Sequence, residues 1–367
     1  MTRPSFRYAD PGPCLGEDGN AGLWFDKFCD RWRVQGTEWT MSAGSSGASP
    51  KLEWISSLTK KNPFGAPAQL EEYASRLMRL IMARGGQADV FVATSRFVTG
   101  LGRSHPIENG FSWHPTLGVP YLPGSSVKGL TRAWALEHGE EAAATGIFGD
   151  PGTASRVGFL DALPAAPVCL EADVMTPHYA GWTRDDPPGD WCSPMPIPFL
   201  VAAAGTSLLF GIVPMRHVAG VDPDLQVVSG WTRSALEWLG GGAKTAVGYG
   251  RFWHDERHTD ALLRLVTEQQ REVEEQRRRQ GAMATPEGRW RLRIEGRSEE
   301  EVLDLVRIHL GVAPLTDQVE LDAFVEAVRS TGLVEYWRRG QVRDPRTNIG
   351  QKKLRQRARL LDQATER

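Results

Sequence analysis

The sequence is poor in three things, and each shortage removes a class of function. It has four cysteines, Cys14, Cys29, Cys169 and Cys192, with no CxxC pair among them. Neither a zinc ribbon nor a dithiol redox motif is therefore indicated. It has no long apolar run: the longest, around residues 199–204, is far too short to span a bilayer. With no secretory leader recognisable, the expectation is a cytoplasmic protein with free thiols and no membrane contact. It also lacks an excess of basic charge, carrying −2 overall with an isoelectric point near 6.5. A stand-alone nucleic-acid binder is usually more basic, so any such surface must be local.

What is present is ordinary for a globular chain of 367 residues, 41% apolar and 24% charged. That length suits two domains, or one large domain with appendages. Residues 1–22 read as irregular, 23–35 as a short helix followed by a loop, and 36–50 as a mobile Gly/Ser/Thr-rich stretch. Helices are expected over 52–61 and 70–86, the second stopped by Gly85-Gly86. ADVFVATSRFVTGLG (88–102) alternates like a strand. A loop, a strand, a turn and a helix closing at Gly139 follow. RVGFLDALP (156–164) and TSLLFGIV (206–213) read as further strands and AKTAVGYGRFWH (243–254) as a Gly-interrupted strand or loop, with a helix over 225–242. The order strand, helix, strand, strand, helix, strand predicts an α+β, ferredoxin-like core. Residues 168–198, dense in Pro, Gly, Trp and Asp, read as one long functional loop.

After residue 258 the composition shifts to charged and amphipathic helices at 262–280, 299–310, 321–339 and 349–363. Residues 289–296 suit a short strand or the end of a helix. The division expected is 1–87 decoration, 88–258 core and 259–367 helical extension. The last helix carries Lys352, Lys353, Arg355, Arg357 and Arg359, either a solvated face or a contact for RNA or an acidic neighbour.

Two stretches carry candidate chemistry. In LGVPYLPGSSVKGLTRAW (117–134), a turn leads into a helix that Ser125 or Ser126 is placed to cap, with Lys128 and Arg132 one turn apart. A helix start of this kind presents N–H groups to an anion. It is not a nucleotide-hydrolysing phosphate loop, because Gly129 rather than Ser or Thr follows Lys128. In GAKTAVGYGRF (242–252), glycines permit close backbone approach and Lys244 and Arg251 supply charge. Gly248-Tyr249-Gly250 partly resembles the aromatic strand motif of RNA-recognition domains, though Val247 and Arg251 depart from it.

Taken together, ATSRFVTGLG, GFSWHPTLGVPYLPGSSVKGLTRAW and GAKTAVGYGRF resemble the RAMP proteins of type III CRISPR effector complexes. With GLWFDKF (22–28) and His114-Pro115, they look most like the sixth-subunit family of the type III-B Cmr complex. The resemblance covers residues 20–254. It implies a ferredoxin-like (RRM-like) RAMP domain that holds a guide RNA backbone through Ser125, Ser126 and Lys128, beside Arg132. Gly248, Tyr249 and Gly250 would let the strand approach, with Arg96, Lys244 and Arg251 as basic neighbours. The 168–198 insertion occupies the place of a loop that reaches the guide–target duplex in related subunits. There His178, Tyr179, Trp182 and Trp191 are duplex-contacting candidates, the aromatics either stacking on bases or packing on the body.

The implied partners are guide and target RNA, other Cmr/RAMP subunits and the small helical subunit. The implied role is non-catalytic: assembling and capping the complex at the guide 3′ end in antiviral defence, with no cofactor. The alternative is a metal-dependent RAMP ribonuclease acting on guide precursor or target RNA, using Asp173, Asp185, Asp186 or Asp190. His114 and His178 are possible general bases. Cys169, His178 and Cys192 have no recognised metal spacing.

Overall fold

A computed structural model describes residues 15–16, 19–36, 38–41, 49–177, 194–215 and 223–365. The chain divides into two compact units, Met1–Val266 and Thr267–Arg367.

The first unit opens with α1 (Ala21–Lys27), capped by Asn20, whose side chain accepts the Leu23 N–H at 2.8 Å. The same Asn20 amide donates to the Pro115 carbonyl at 2.8 Å, tying this cap to the His114-Pro115 turn. The helix-then-loop expected over 23–35 is corrected here. The helix stops at Lys27, and β1 (Trp32–Gln35) pairs antiparallel with β2 (Glu38–Met41). Helices α2 (Pro50–Thr59) and α3 (Pro67–Ala83) each begin with proline, which fits a first turn needing no N–H partner there.

There follow β3 (Gln87–Ala93), the short pair β4 (Ser104–His105) and β5 (Glu108–Asn109), α4 (Gly124–Glu137) and α5 (Glu141–Phe148). Then come β6 (Val157–Phe159), β7 (Leu163–Pro164), β8 (Leu170–Met175), β9 (Ile197–Ala202), β10 (Ser207–Pro214), α6 (Pro223–Trp238) and β11 (Phe252–His254). The strand expected over 156–164 is broken, because its two halves pair with different stretches of β10.

The central sheet runs β11–β3–β10–β6, with β7 also on β10 and every pairing antiparallel. Side chains alternate across a strand, and both faces are covered. Phe91, Phe210 and Phe252 join Val127 of α4 and Leu236 of α6 in one cluster. On the other face Val90 and Leu209 meet Ala74 and Met78 of α3 and Val266. One buried carboxylate interrupts the apolar pattern. Asp89 accepts hydrogen bonds from Arg233 (2.7 Å) and Ser229 (3.1 Å), and His254 Nε2 lies 3.1 Å away. This polar node joins β3, α6 and β11, which would otherwise leave a charge buried without partners.

The expected 168–198 loop is also corrected. Leu170 to Met175 form a ladder with Ile197 to Ala202, so the segment is a hairpin at its base. Residues 178–193 of its tip lie outside the described residues.

α7 (Glu256–Met283) carries the chain onward. The second unit contains α8 (Pro286–Ile294), α9 (Glu299–Arg307), a π-helical turn at Ile308–Val312, α10 (Gln318–Ser330), α11 (Val334–Arg338) and α12 (Gln351–Thr365). Residues 289–296 lie mostly in helix, not strand, with Thr285 as N-cap. The helix expected over 321–339 is split at Gly332, whose φ of +72° ends α10. Trp290, Val306, Phe324, Val328, Trp337 and Leu361 share one core. Its buried acid, Glu299, accepts the Trp337 indole N–H at 2.7 Å and the Arg343 and Asp344 N–H groups at 2.9 and 2.8 Å. α12 buries Leu354, Ala358 and Leu361, so the basic helix is anchored through its apolar stripe.

Candidate nucleic-acid interface

The turn before α4 differs from expectation in one respect. Pro123, not a serine, is the N-cap, and it offers no side-chain hydrogen bond. The reason is packing: a Cβ at Gly124 would lie 2.3 Å from the Phe159 carbonyl oxygen, so only glycine fits this first helical position. Asp161 Oδ1 accepts the Gly124 N–H at 2.7 Å. The Ser126 and Val127 N–H groups turn back to the Pro123 carbonyl. The chain's own carboxylate thus sits at the anion corner read from the sequence. Ser125 and Ser126 stand exposed in the first turn, Lys128 is half-buried and Arg132 is exposed. Buried Thr131 bonds Thr232 of α6 at 3.0 Å and fixes the two helices together.

The glycine loop after α6 folds against residues 94–98 almost entirely through backbone. Ala243 N–H donates to Val98 O (2.7 Å), Gly250 N–H to Arg96 O (2.7 Å), and Thr94 N–H to Arg251 O (2.8 Å). Arg251 N–H donates to Ser95 Oγ at 3.0 Å. Side chains would obstruct this approach: a Cβ at Gly242 would lie 2.3 Å from Val98 O, and one at Gly250 2.0 Å from Gly241 O. Between them Thr245–Val247 forms a 3-10 turn, flanked by Lys244 (φ 59°) and Gly248 (φ 95°), both left-handed. The loop touches the approach to α4 directly, since a Cβ at Gly241 would be 2.9 Å from Leu122 Cδ2. The two stretches singled out in the sequence are neighbours.

Two candidates are engaged within the chain. Arg96 donates to Glu171 Oε2 at 2.7 Å and to Asp173 Oδ2 at 2.8 Å, both on β8. The Glu171 hydrogen bond, together with the Asp173 and Glu171 charges, holds the guanidinium pKa above its ordinary value. The Tyr249 hydroxyl donates to the same Asp173 oxygen at 2.5 Å, and its ring lies 6.0 Å from Phe199. Tyr249 sits before β11 begins, so it is not the exposed strand aromatic of an RNA-recognition domain. Lys244 Nζ lies 5.6 Å from the Phe199 ring centre, a cation–π distance.

Burial alone would raise the Asp173 pKa. The Tyr249 and Val174 hydrogen bonds and the Arg96 charge instead hold it below the usual carboxylate range. His114 is built into its turn: Nδ1 accepts the Leu117 N–H at 3.2 Å, and the ring lies edge-on to Tyr73. Burial holds its pKa down against the opposing Asp161 charge.

His178, Tyr179, Trp182 and Trp191, with Asp185, Asp186, Asp190 and Cys192, lie outside the described residues. Among the described residues no cluster of three metal-ligating side chains occurs, and no helix is long and apolar enough to cross a membrane. Sequence reasoning missed Asp161 and Glu171. Glu171 and Asp173 were legible as one strand face, two residues apart, once residues 170–175 are read as a strand. It also missed Trp253, 61% exposed on β11.

The sequence profile of the RAMP superfamily matches residues 90–253, the span holding the central sheet and both glycine-bearing stretches. Over that span the chain is similar to the RAMP superfamily. Its curated relatives include two Cmr6 subunits of CRISPR Cmr systems. The Pyrococcus furiosus protein is 30% identical, over 44% of this chain and 66% of that one. The Saccharolobus solfataricus protein is 31% identical, over 40% of this chain and 48% of that one. The chain thus spans just under two thirds of one relative and about half of the other. Among solved structures, a type III-B Cmr-beta complex bound to cognate target RNA contains a chain 24% identical, with a TM-score of 0.47. The likeness covers 56% of this chain and 71% of that one. The crystal structure of Cmr6 from Pyrococcus furiosus is 26% identical with a TM-score of 0.31, over 46% of this chain and 97% of that one.

Proposed function

We propose that this chain is a non-catalytic, RNA-binding subunit of a cytoplasmic type III-B CRISPR effector, and that its core is ferredoxin-like. Capping the assembly at the guide 3′ end is part of the same reading. Guide and target RNA, other Cmr/RAMP subunits and the small helical subunit are its partners. The observation that carries it is the packing of Leu122 against Gly241. It sets the α4 start, with Ser125, Ser126, Lys128 and Arg132, beside the loop of Lys244, Gly248 and Arg251. The β11–β3–β10–β6 order, entirely antiparallel, supports the fold assignment. Kinship with two Cmr6 subunits supports the assembly.

Helices cover most of both sheet faces and leave Trp253 of β11 as an exposed aromatic, so the sheet lacks the broad stacking platform of an RNA-recognition domain. The contact is therefore to phosphates along the helix start and loop, independent of guide sequence and weakened by salt. The engagement of Asp173 by Tyr249 and Arg96 supports a structural rather than metal-binding carboxylate. The test is to purify the tagged chain with its associated RNA and proteins, for wild type and for Lys128→Glu with Lys244→Glu. Co-purification of guide RNA and Cmr subunits with the wild type, and loss of RNA in the variant, is expected. Mg²⁺-dependent RNA cleavage by the purified chain, abolished by EDTA and by Asp173→Ala or Asp186→Ala, would replace this reading with the ribonuclease.

A further inference from the structure

The C-terminal unit holds a cavity that the RAMP match does not reach. It encloses about 1090 Å³ and is lined by Arg278 of α7, Arg291 of α8, Arg297 before α9, and Arg343 after α11. A second cavity of about 450 Å³ opens beside it and shares Arg278, Arg291 and Glu295, so the two form one groove.

The acids around this groove are largely committed elsewhere. Glu299 is buried and satisfied by the Trp337 indole and two backbone N–H groups. Asp344 pairs with Arg346 at 3.1 Å, and Glu275 pairs with Arg279 at 2.7 Å. Arg297 donates to the Arg293 carbonyl and lies 4.0 Å from Glu301, and Arg343 reaches the Thr331 carbonyl at 3.4 Å. Glu287 and Glu295 are the remaining carboxylates on the lining, and among the described residues no ion pair engages Arg278, Arg291 or Arg343.

Guanidinium groups converging from four segments suit a ligand with several anionic oxygens, which each fork can meet in bidentate fashion. No aromatic side chain lines either cavity, so the groove has nothing on which to stack a base. It would read phosphates only. We propose that the groove around Arg278 and Arg291 is a second nucleic-acid contact that holds the phosphodiester backbone of an RNA strand without regard to sequence. The choice of RNA over other phosphate polymers rests on the function proposed above; the groove itself does not.

The test measures binding of a fluorescein-labelled 30-nucleotide oligouridine to the full chain across a salt series. Inorganic polyphosphate serves as a second probe. For Arg278→Glu with Arg291→Glu, the expected result is about tenfold weaker RNA binding. The log–log salt slope should become shallower by about 1.4, two phosphate contacts at about 0.7 each. Arg278→Lys with Arg291→Lys, which keeps the charge and loses the bidentate fork, should fall between wild type and the double Glu variant. Arg76→Glu, on an exposed position of α3, should change binding little. Thermal melts of each variant report folding independently.

Wild-type affinity and slope in the double Glu variant, while Lys128→Glu with Lys244→Glu loses binding, would overturn the groove and leave the proposed function standing. An equal loss in Arg76→Glu would reduce the effect to overall charge and overturn it as well. Binding of polyphosphate but not RNA by the wild type would overturn the choice of ligand.

Discussion

Asp173 Oδ2 is shared by two donors, the Tyr249 hydroxyl at 2.5 Å and the Arg96 guanidinium at 2.8 Å. A single oxygen on β8 therefore links the end of the glycine loop to the cation that follows β3. Glu171, two residues earlier on the same strand face, takes the other side of Arg96. The two carboxylates engage the guanidinium that the family resemblance assigns as a basic neighbour of RNA.

This arrangement predicts that the β8 hairpin competes with RNA for Arg96. Glu171→Gln with Asp173→Asn should raise affinity for single-stranded RNA by about three- to tenfold and steepen the salt slope by about 0.7. Fluorescence anisotropy over a salt series measures both. Weaker binding with an unchanged melting temperature would show that Arg96 supports the hairpin and does not meet phosphate.

The same oxygen sets a pH signature. Burial, then the hydrogen bond and charge of Asp173, push the Tyr249 phenol up to about 12. A group whose pKa is raised on folding stabilises fully below its unfolded value and loses that contribution as pH climbs through the folded one. The Tyr249 contribution is thus intact below about pH 10 and fades between about 10 and 12. Absorbance titration of phenolate formation should show a late-titrating component that disappears in Tyr249→Phe. Asp173, held below its ordinary value, contributes above about pH 4 and loses that as pH falls further.

Two glycines in one loop separate strain from clash. Gly250 has φ +67°, and a Cβ there would meet the Gly241 carbonyl at 2.0 Å. Gly248 has φ +95° with open space around it. Gly250→Ala should therefore cost about 3 kcal/mol or more, while Gly248→Ala pays only the backbone term, about 1–2 kcal/mol. Denaturant unfolding checks the order, and equal losses would contradict the packing described for residues 94–98.

Much of this architecture was legible from local chemistry. Alternation in 88–93 and 206–213, helical spacing after Gly124 and in 225–238, and glycines at 240–250 are consequences of backbone geometry that neighbouring residues impose on one another. The order of elements followed, whereas the pairing of PGSSVKG with GAKTAVGYGRF was implied by the family resemblance. The hairpin of β8 and β9 was hidden because its strands lie 21 residues apart at their near ends, across a tip rich in Pro and Gly.

The chemical state of the charged residues was not legible, because it depends on which distant segments meet. Arg96 reads as a free cation until Glu171 and Asp173, 75 and 77 residues away, close on it. The α4 start reads as an empty anion site until Asp161 arrives from the β6–β7 corner. Which helices pack on which sheet face was also decided by packing, α3 and α7 on one and α4 and α6 on the other. Residue type and spacing set the elements and the glycine-loop motif. Long-range packing set the charges, since an ion pair forms only where the folded chain brings both partners within a few ångströms.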